Sequence, residues 1–156
     1  MVTVRPLVHD DEDRLKAFHD TLGDETVRAR YHRHFPAQDR KETGRIHKIC
    51  CADQIDEIVL GCFMESDGSL LGVGRLNIIG RGGSGETALV VADAWQGHGV
   101  GRVLKETLII AARKRGLRCL SSVFDPRNRA AVELARHMGY RFMPMAEDEV
   151  VAVLDL

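Results

Sequence analysis

The sequence lacks the features that would place it in a membrane or in an oxidising compartment. No apolar run is long enough to span a bilayer, and no apolar segment of the signal-peptide type follows Met1. The cysteines show no paired spacing typical of a disulfide framework; they are Cys50, Cys51, Cys62 and Cys119. These absences predict a protein of the reducing cytoplasm that has no membrane association.

A metal site is also not predicted. Cys50 and Cys51 together with His32 and His34 are weak candidates, because no two of them have the spacing of zinc ligands and buried free cysteines are common. We therefore expect no metal.

The chain has no excess of either charge. Its 22 lysines and arginines nearly cancel its 23 aspartates and glutamates, leaving a formal net charge of −1. No overall electrostatic field therefore points to nucleic acid as a partner. Internal repeats and low-complexity linkers are missing from the 156 residues, which predicts a single domain spanning residues 1–156.

Two common nucleotide-binding patterns do not describe the glycine-rich turn at residues 96–102. Its spacing differs from G-x-G-x-x-G, and G-x-x-x-x-G-K-[ST] occurs nowhere in the chain. The turn follows an apolar, β-branched run and leads into a helix, and its glycines lack the Cβ atoms that would hold a ligand away from the backbone. Amides at a helix N-terminus are unpaired and carry the positive end of the helix dipole. The turn therefore predicts a pyrophosphate site, with Arg102 adding charge at its edge.

Apolar periodicity and turn residues predict the order of the elements. Strands are expected at residues 2–7, 57–65, 70–79, 86–91, 120–124, 140–145 and 150–156, and helices at 10–22, 24–35, 38–51, 99–116 and 129–138. Residues 80–85 form a glycine-rich loop before the strand that carries the turn. Three successive short strands predict an antiparallel meander, and the helix after the turn crosses over to a further strand.

The segment Gln96-Gly97-His98-Gly99-Val100-Gly101 resembles motif A of the GNAT N-acetyltransferases, which bind the pyrophosphate of acetyl-coenzyme A (acetyl-CoA). Residues 128–140 resemble the family's N-x-x-A…G-F/Y segment. The order of elements is similar to the GNAT fold over nearly the whole chain. The resemblance implies an α+β fold, with a mixed, mostly antiparallel central sheet of about seven strands flanked by helices, and acetyl-CoA as co-substrate.

The resemblance also implies residue roles. The strand backbone at residues 89–91 would pair with the pantetheine arm, the turn amides would hold the pyrophosphate, and the Val91 amide would polarise the thioester carbonyl. The implied cofactor-binding residues are Leu89, Val90, Val91, Gln96, Gly97, His98, Gly99, Val100, Gly101, Arg102 and Asn128. Asn128 would reach the pantetheine or the thiol end of the cofactor, but Asn is also a preferred helix N-cap, so both interpretations of Asn128 remain open.

Glu86 is the predicted general base. An alkyl amine with a pKa near ~10 is protonated at neutral pH, so it must lose a proton before it attacks the thioester. Many family members place a carboxylate at this point of the strand; the alternative is an exposed strand-end glutamate. Many also carry a tyrosine that donates a proton to the leaving thiolate, but here its position is Ala135. Tyr140, Tyr31 or solvent are substitutes between which the sequence does not decide.

The acceptor remains open between a protein lysine and a small-molecule amine. Residues 28–35 and 85–97 look like the acetyltransferase domain of bacterial protein-lysine acetyltransferases that modify acyl-CoA synthetases. The basic residues at 28–33 are either a solvated helix face or a wall of the cleft, and the acidic turn at 147–149 either attracts a cationic acceptor or is an ordinary solvated turn. A homodimer is possible. The alternative function is a non-catalytic acyl-CoA-binding sensor or partner domain.

Overall fold

The computed structural model describes residues 1–144 and 148–156. The strands are β1 (Val2–Pro6), β2 (Glu57–Met64), β3 (Leu70–Ile79), β4 (Ser84–Val91), β5 (Cys119–Phe124), β6 (Arg141–Pro144) and β7 (Val150–Asp155). The helices are α1 (Glu12–Asp20), α2 (Asp24–Tyr31), α3 (Ala37–Arg40), α4 (Thr43–Cys50), α5 (Val100–Lys114) and α6 (Arg129–His137), with short 3-10 turns at His9–Asp11 and Asp93–Trp95.

The seven strands form one sheet in the order β1-β2-β3-β4-β5-β7-β6. Neighbouring strands are antiparallel except β4 and β5, which run parallel because α5 crosses over between them. The predicted α+β fold with a mixed, mostly antiparallel sheet of about seven strands is confirmed. Within the described residues, no helix is both long enough and apolar enough to cross a bilayer.

Helices cover both faces of the sheet, so successive residues of the central strands point into different cores. Val59 packs among buried residues of α1 and α4, whereas Leu60 packs among buried residues of α5. This two-sided burial explains why β2 reads as a continuous apolar run from Ile58 to Phe63. The core on the α5 side includes Leu104, which is fully buried.

Glycines in β3 let α5 approach the sheet closely. A Cβ atom at Gly72 would lie 2.9 Å from Val100 Cγ1, and one at Gly74 would lie 3.1 Å from Leu108 Cδ1. Val100 is the first residue of α5, so this packing fixes where the glycine-rich turn meets the sheet.

Several predicted boundaries are wrong, each for a local reason. The helix predicted to reach residue 35 ends at Tyr31, because His32 adopts a left-handed conformation (φ 57°). The helix predicted at 38–51 is divided into α3 and α4, and the Glu42 side chain caps α4 by accepting from the amides of Gly44 and Arg45.

The loop predicted at residues 80–85 is also shorter than expected. It comprises Gly80 to Gly83, since Ser84 and Gly85 already pair with β3 and β5. Part of the closing hairpin turn, residues 145–147, lies outside the described residues.

Candidate active site between the parting strands

The strands β4 and β5 pair only over a short distance and then separate. Their parallel ladder covers three residue pairs and ends where Glu86 faces Ser121. Beyond that pair β4 continues to Val91 and β5 to Phe124. In the described part of the chain, no strand pairs with residues 87–91 on the β5 side. We call this opening, between residues 87–91 and 122–124, the wedge.

The glycine-rich turn lies at the open end of the wedge and has the predicted backbone geometry. Gly97 and Gly99 have φ values of 78° and 87°, and a Cβ atom at either would meet nothing within 4 Å. Gly99 is the N-cap of α5. No backbone carbonyl of the described chain accepts from the amides of residues 99–102. These amides lie at the positive end of a 15-residue helix, beside the open space at Gly97 and Gly99.

The other predicted residues of the turn have different local roles. A Cβ atom at Gly101 would make ordinary contacts with Val91, Leu89 and Leu134, so this glycine packs α5 against its neighbours. The Gln96 side chain donates from Nε2 to Val91 O at 3.2 Å, which ties the turn to the end of β4.

The two charged or ionisable side chains of the turn, His98 and Arg102, lie at its surface. His98 Nδ1 lies 3.0 Å from Gln96 O. Arg102 is 71% exposed and pairs with Glu106 at 2.9 Å, one turn further along α5.

Glu86 lies at the inner end of the wedge. It is the third residue of β4, is exposed, and faces Asn77 on β3 and Ser121 on β5. The alternative interpretation placed Glu86 at the strand end, whereas the structure places it inside β4. Arg30 of α2 is close enough for electrostatic attraction to Glu86 to raise the arginine's pKa, although burial of the guanidinium lowers that pKa more strongly.

An arginine cluster lies on the same face of the sheet as Glu86. Arg30, Arg45 and Arg75 line a small cavity of about 20 Å³ with Tyr31. Arg45 Nη2 donates to Tyr31 Oη at 3.2 Å, and Arg75 pairs with Glu57. Burial lowers the pKa of Arg30 and of Arg75.

The basic residues at 28–33 do not all face the same way. Arg28, His32 and Arg33 are exposed, as a solvated face requires, but Arg30 turns inward. Arg45 and Arg75 were missed by sequence reasoning, because Arg75 is a single arginine within an apolar strand and Arg45 is one of several basic residues in its segment.

Comparison with known proteins decides the family. The model of the acetyltransferase (GNAT) family matches residues 15–140, which is most of the chain. The chain belongs to the GNAT acetyltransferase family. An acetyltransferase of Pseudomonas aeruginosa is 28% identical over 141 residues, which cover 89% of this chain and 74% of that protein. Family membership makes this protein an acyltransferase.

Solved structures agree with this assignment. The GNAT domain of S. lividans PAT, a protein acetyltransferase, superposes with a TM-score of 0.89 at 27% identity, covering 99% of this chain and 90% of that one. The PaiA N-acetyltransferase of Thermoplasma acidophilum, solved with coenzyme A, has the same fold with a TM-score of 0.80 at 15% identity, covering 100% and 99%. The narrower resemblance to protein-lysine acetyltransferases thus matches a solved relative.

The second GNAT segment begins across the wedge at Asn128. Its Oδ1 accepts from the Ala131 amide at 3.2 Å, so Asn128 caps α6. The preceding turn is held by Asp125, which binds the Arg127 guanidinium with both oxygens at 2.8 and 3.0 Å. This pairing lowers the pKa of Asp125 to about 2. The capping role of Asn128 is thus observed, and a contact with pantetheine stays a prediction.

A buried polar cluster lies at the inner end of the wedge of this acetyltransferase. Thr87 and Ser122, the first residues beyond the ladder, join their hydroxyls at 2.6 Å, and Lys105 Nζ donates to Ser122 Oγ at 3.0 Å. The Tyr140 hydroxyl is buried near Thr87 and Ser122 and makes no hydrogen bond within the described residues.

This cluster was not predicted as a unit. Lys105 looks like one polar residue in the apolar pattern of α5, and only the tertiary fold shows that it is 2% exposed. Ala135, at the usual tyrosine position, is fully buried in the core. Of the possible substitutes, Tyr140 lies beside Thr87 and Ser122 of the wedge, whereas Tyr31 lies in the arginine cluster.

The described part of the acidic turn lies beside the end of α2. Glu149 Oε1 is 3.9 Å from His32 Nδ1. Asp148 and Glu25 both lie close enough to Arg127 to attract its guanidinium group electrostatically. Glu147 lies outside the described residues. Acidic groups from α2 and from the turn before β7 therefore share one rim of the molecule with Arg127.

Proposed function

We propose that this acetyltransferase moves an acetyl group from acetyl-CoA to a primary amine by direct attack of the amine on the thioester, with Glu86 as general base. One observation supports this above all others. The open glycine turn, the unpaired edge of β4 and the Glu86 carboxylate lie in sequence along a single path, from the N-terminus of α5 to the inner end of the wedge.

The protein's groups fit acetyl-CoA along this path. The amides of residues 99–102 suit a pyrophosphate, since they are unpaired and lie at a helix N-terminus where glycine leaves space for a ligand. The free edge of residues 89–91 suits the amides of the pantetheine arm, which would form hydrogen bonds with β4 as a neighbouring strand does. The Val91 amide would then donate to the thioester oxygen, where negative charge develops.

The acceptor amine would arrive on the Glu86 side. The carboxylate would take one proton from the ammonium group, directly or through water, and the freed lone pair would form the C–N bond. When the C–S bond breaks, its electron pair leaves with the sulfur, and the second proton that the nitrogen loses goes to this thiolate, directly or through water, so that the products are the amide and the free thiol. A thiol with a pKa near ~8.5 is a tolerable leaving group without a strong acid.

We propose a protein lysine as the acceptor in preference to a small amine. The similarity to the GNAT domain of S. lividans PAT supports this choice, since that relative covers 99% of this chain. The acidic rim of Glu25, Asp148 and Glu149 supports a cationic acceptor but does not by itself distinguish a lysine from a polyamine.

The test is release of free thiol from acetyl-CoA by wild type and by Glu86→Gln. One acceptor pool contains polyamines, aminoglycosides and amino acids, and a second contains lysine-bearing acyl-CoA synthetases. We expect release with the protein pool and a loss of about 10²- to 10⁴-fold in the variant, because the amide cannot accept the proton. Coenzyme A binding by calorimetry should be unchanged.

Glu65→Gln is the matched control, because Glu65 is exposed and accepts only from Thr3 in the described chain. Equal losses in both variants would exclude Glu86 as base. Release with the small-amine pool alone would leave the base assignment standing and overturn the protein acceptor. Binding of acetyl-CoA without release to any amine would support the sensor alternative.

A further inference from the structure

Four potential metal ligands lie together on the surface, outside the wedge. They are His9 in the 3-10 turn before α1, Glu12 at the start of α1, and His47 and Cys51 at the end of α4. One donor atom from each lies within 4.8 Å of every other. No spacing rule finds this set, because it joins residues 9–12 with residues 47–51 through the packing of α1 against α4.

The geometry centres on one carboxylate oxygen. Glu12 Oε1 lies 2.9 Å from His9 Nδ1 and 2.8 Å from His47 Nδ1, and Cys51 Sγ lies 3.8 Å from His47 Nδ1. A tetrahedral zinc ion with bonds of about 2.0–2.3 Å needs its ligands roughly 3.4–3.7 Å apart. A small outward shift of the two imidazoles, within reach of side-chain rotation, therefore opens space for an ion.

The donor set also has suitable chemistry. Two imidazoles, one carboxylate and one thiolate are all ligands that zinc accepts. The thiolate and the carboxylate together carry two negative charges, which balance a divalent cation. On binding, the Cys51 thiol gives its proton to solvent and its sulfur forms the metal bond.

Neighbouring cysteines show why Cys51 is the candidate ligand. Cys51 is exposed beside His47, whereas Cys50 is buried in the core. Cys50 is therefore unavailable to an ion at this surface, and the two adjacent thiols have different roles.

We propose that His9, Glu12, His47 and Cys51 form a binding site for one zinc ion that joins the beginning of α1 to the end of α4. The sequence alone predicted no metal. It also has a structural consequence, since α4 carries Arg45 of the arginine cluster only two residues before His47. An ion at the site would hold that helix in place.

The experiment titrates metal-free protein with Zn²⁺ by calorimetry and with Co²⁺ by absorption. We expect one ion per chain, tetrahedral cobalt bands and a thiolate-to-cobalt charge-transfer band. Cys51→Ser should remove that band and weaken zinc binding by at least about tenfold, because changes that merely reorient a ligand already cost that much. His47→Gln should weaken binding similarly.

His137→Ala is the matched control, because His137 is an exposed helical histidine outside the cluster. Its binding should equal that of wild type, and circular dichroism checks that each variant is folded. In thermal unfolding, Zn²⁺ should raise the Tm of wild type and not that of a Cys51→Ser, His47→Gln double variant. Failure to bind a stoichiometric ion, or binding that both ligand variants retain, would overturn the site. None of these readouts depends on acetyl transfer.

Discussion

Lys105 shows how much one residue's environment changes its chemistry. Its Nζ donates to Ser122 and lies 4.6 and 5.1 Å from the ring centres of Tyr140 and Phe124. No carboxylate pairs with it in the described residues. Burial therefore lowers the pKa of Lys105 from 10.5 to about 7, which favours the neutral amine inside the folded protein.

This burial makes stability depend on pH in a defined window. Between pH 7 and pH 10.5 the unfolded chain binds a proton at this lysine that the folded chain does not, so stability rises as the pH rises through that window. Below pH 7, burial of Lys105 destabilises the folded protein by its full amount.

At pH 6 to 7 we expect the free energy of unfolding of Lys105→Met to exceed that of wild type by on the order of a few kcal/mol. The variant should therefore unfold at a higher denaturant concentration. The gap should narrow as the pH rises from 7 towards 10.5 and close above that pH, where the wild-type lysine is neutral in both states. Denaturant unfolding across the pH range measures this. Lys114→Met, at an exposed position of the same helix, should show no such trend. If the difference in unfolding free energy between Lys105→Met and wild type did not change with pH, lost packing and not charge would determine the effect of Lys105 on stability.

At the scale of elements, α5 connects the core to the wedge. Its buried face, which includes Val100, Leu104 and Leu108, packs against β3, while its N-terminus presents unpaired amides to the turn. The helix begins after Gly99 and is followed by Gly116, and both glycines have positive φ with open space where a Cβ atom would lie. The two ends therefore allow a matched comparison.

We expect Gly99→Ala and Gly116→Ala each to cost about 1–2 kcal/mol, because alanine is strained at positive φ. Only Gly99→Ala should also weaken coenzyme A binding, since its methyl group would project to where we propose the pyrophosphate binds. Calorimetry with coenzyme A and thermal unfolding separate the two effects. If both variants, once corrected for stability, bind coenzyme A like wild type, the proposed phosphate position is wrong.

At the scale of the whole molecule, the wedge interrupts an otherwise continuous sheet. Two cores, one on each face, hold β4 and β5 in place while their edges part beyond Glu86. A ligand that pairs with the free edge of β4 would complete the sheet. Such a ligand would bind only the folded chain, because the wedge and the turn do not exist in the unfolded chain.

We therefore expect coenzyme A to raise the Tm. At about 100 times its Kd, the ligand should add about 2.7 kcal/mol, which corresponds to roughly 5–10 °C for a chain of this size. A thermal shift series over coenzyme A concentration measures this, with adenosine as a control that lacks the pyrophosphate and pantetheine. An unchanged Tm at saturating coenzyme A would contradict binding in the wedge.

Much of this architecture was predictable because its signals are local. The order of strands and helices along the chain follows from apolar runs and turn residues, and positive φ at Gly97 and Gly99 follows from a turn that other residues do not easily make. Helix ends were predicted poorly where a cap decided them, as at His32 and Glu42. The roles of Glu86 and of the turn residues, the acceptor, the single domain and a possible homodimer stay predictions.

The sequence by itself determined the fold class, the glycine turn and the candidate base, because each rests on residues close together in the chain. Tertiary structure alone decided what distant residues do together. Arg30, Arg45 and Arg75 meet only because α2, α4 and β3 pack on one face of the sheet. Likewise, Lys105 reaches Ser122, and His9 reaches His47, through helix packing that no local pattern encodes. Such clusters depend on side chains converging from separate elements, so only the packed molecule shows them.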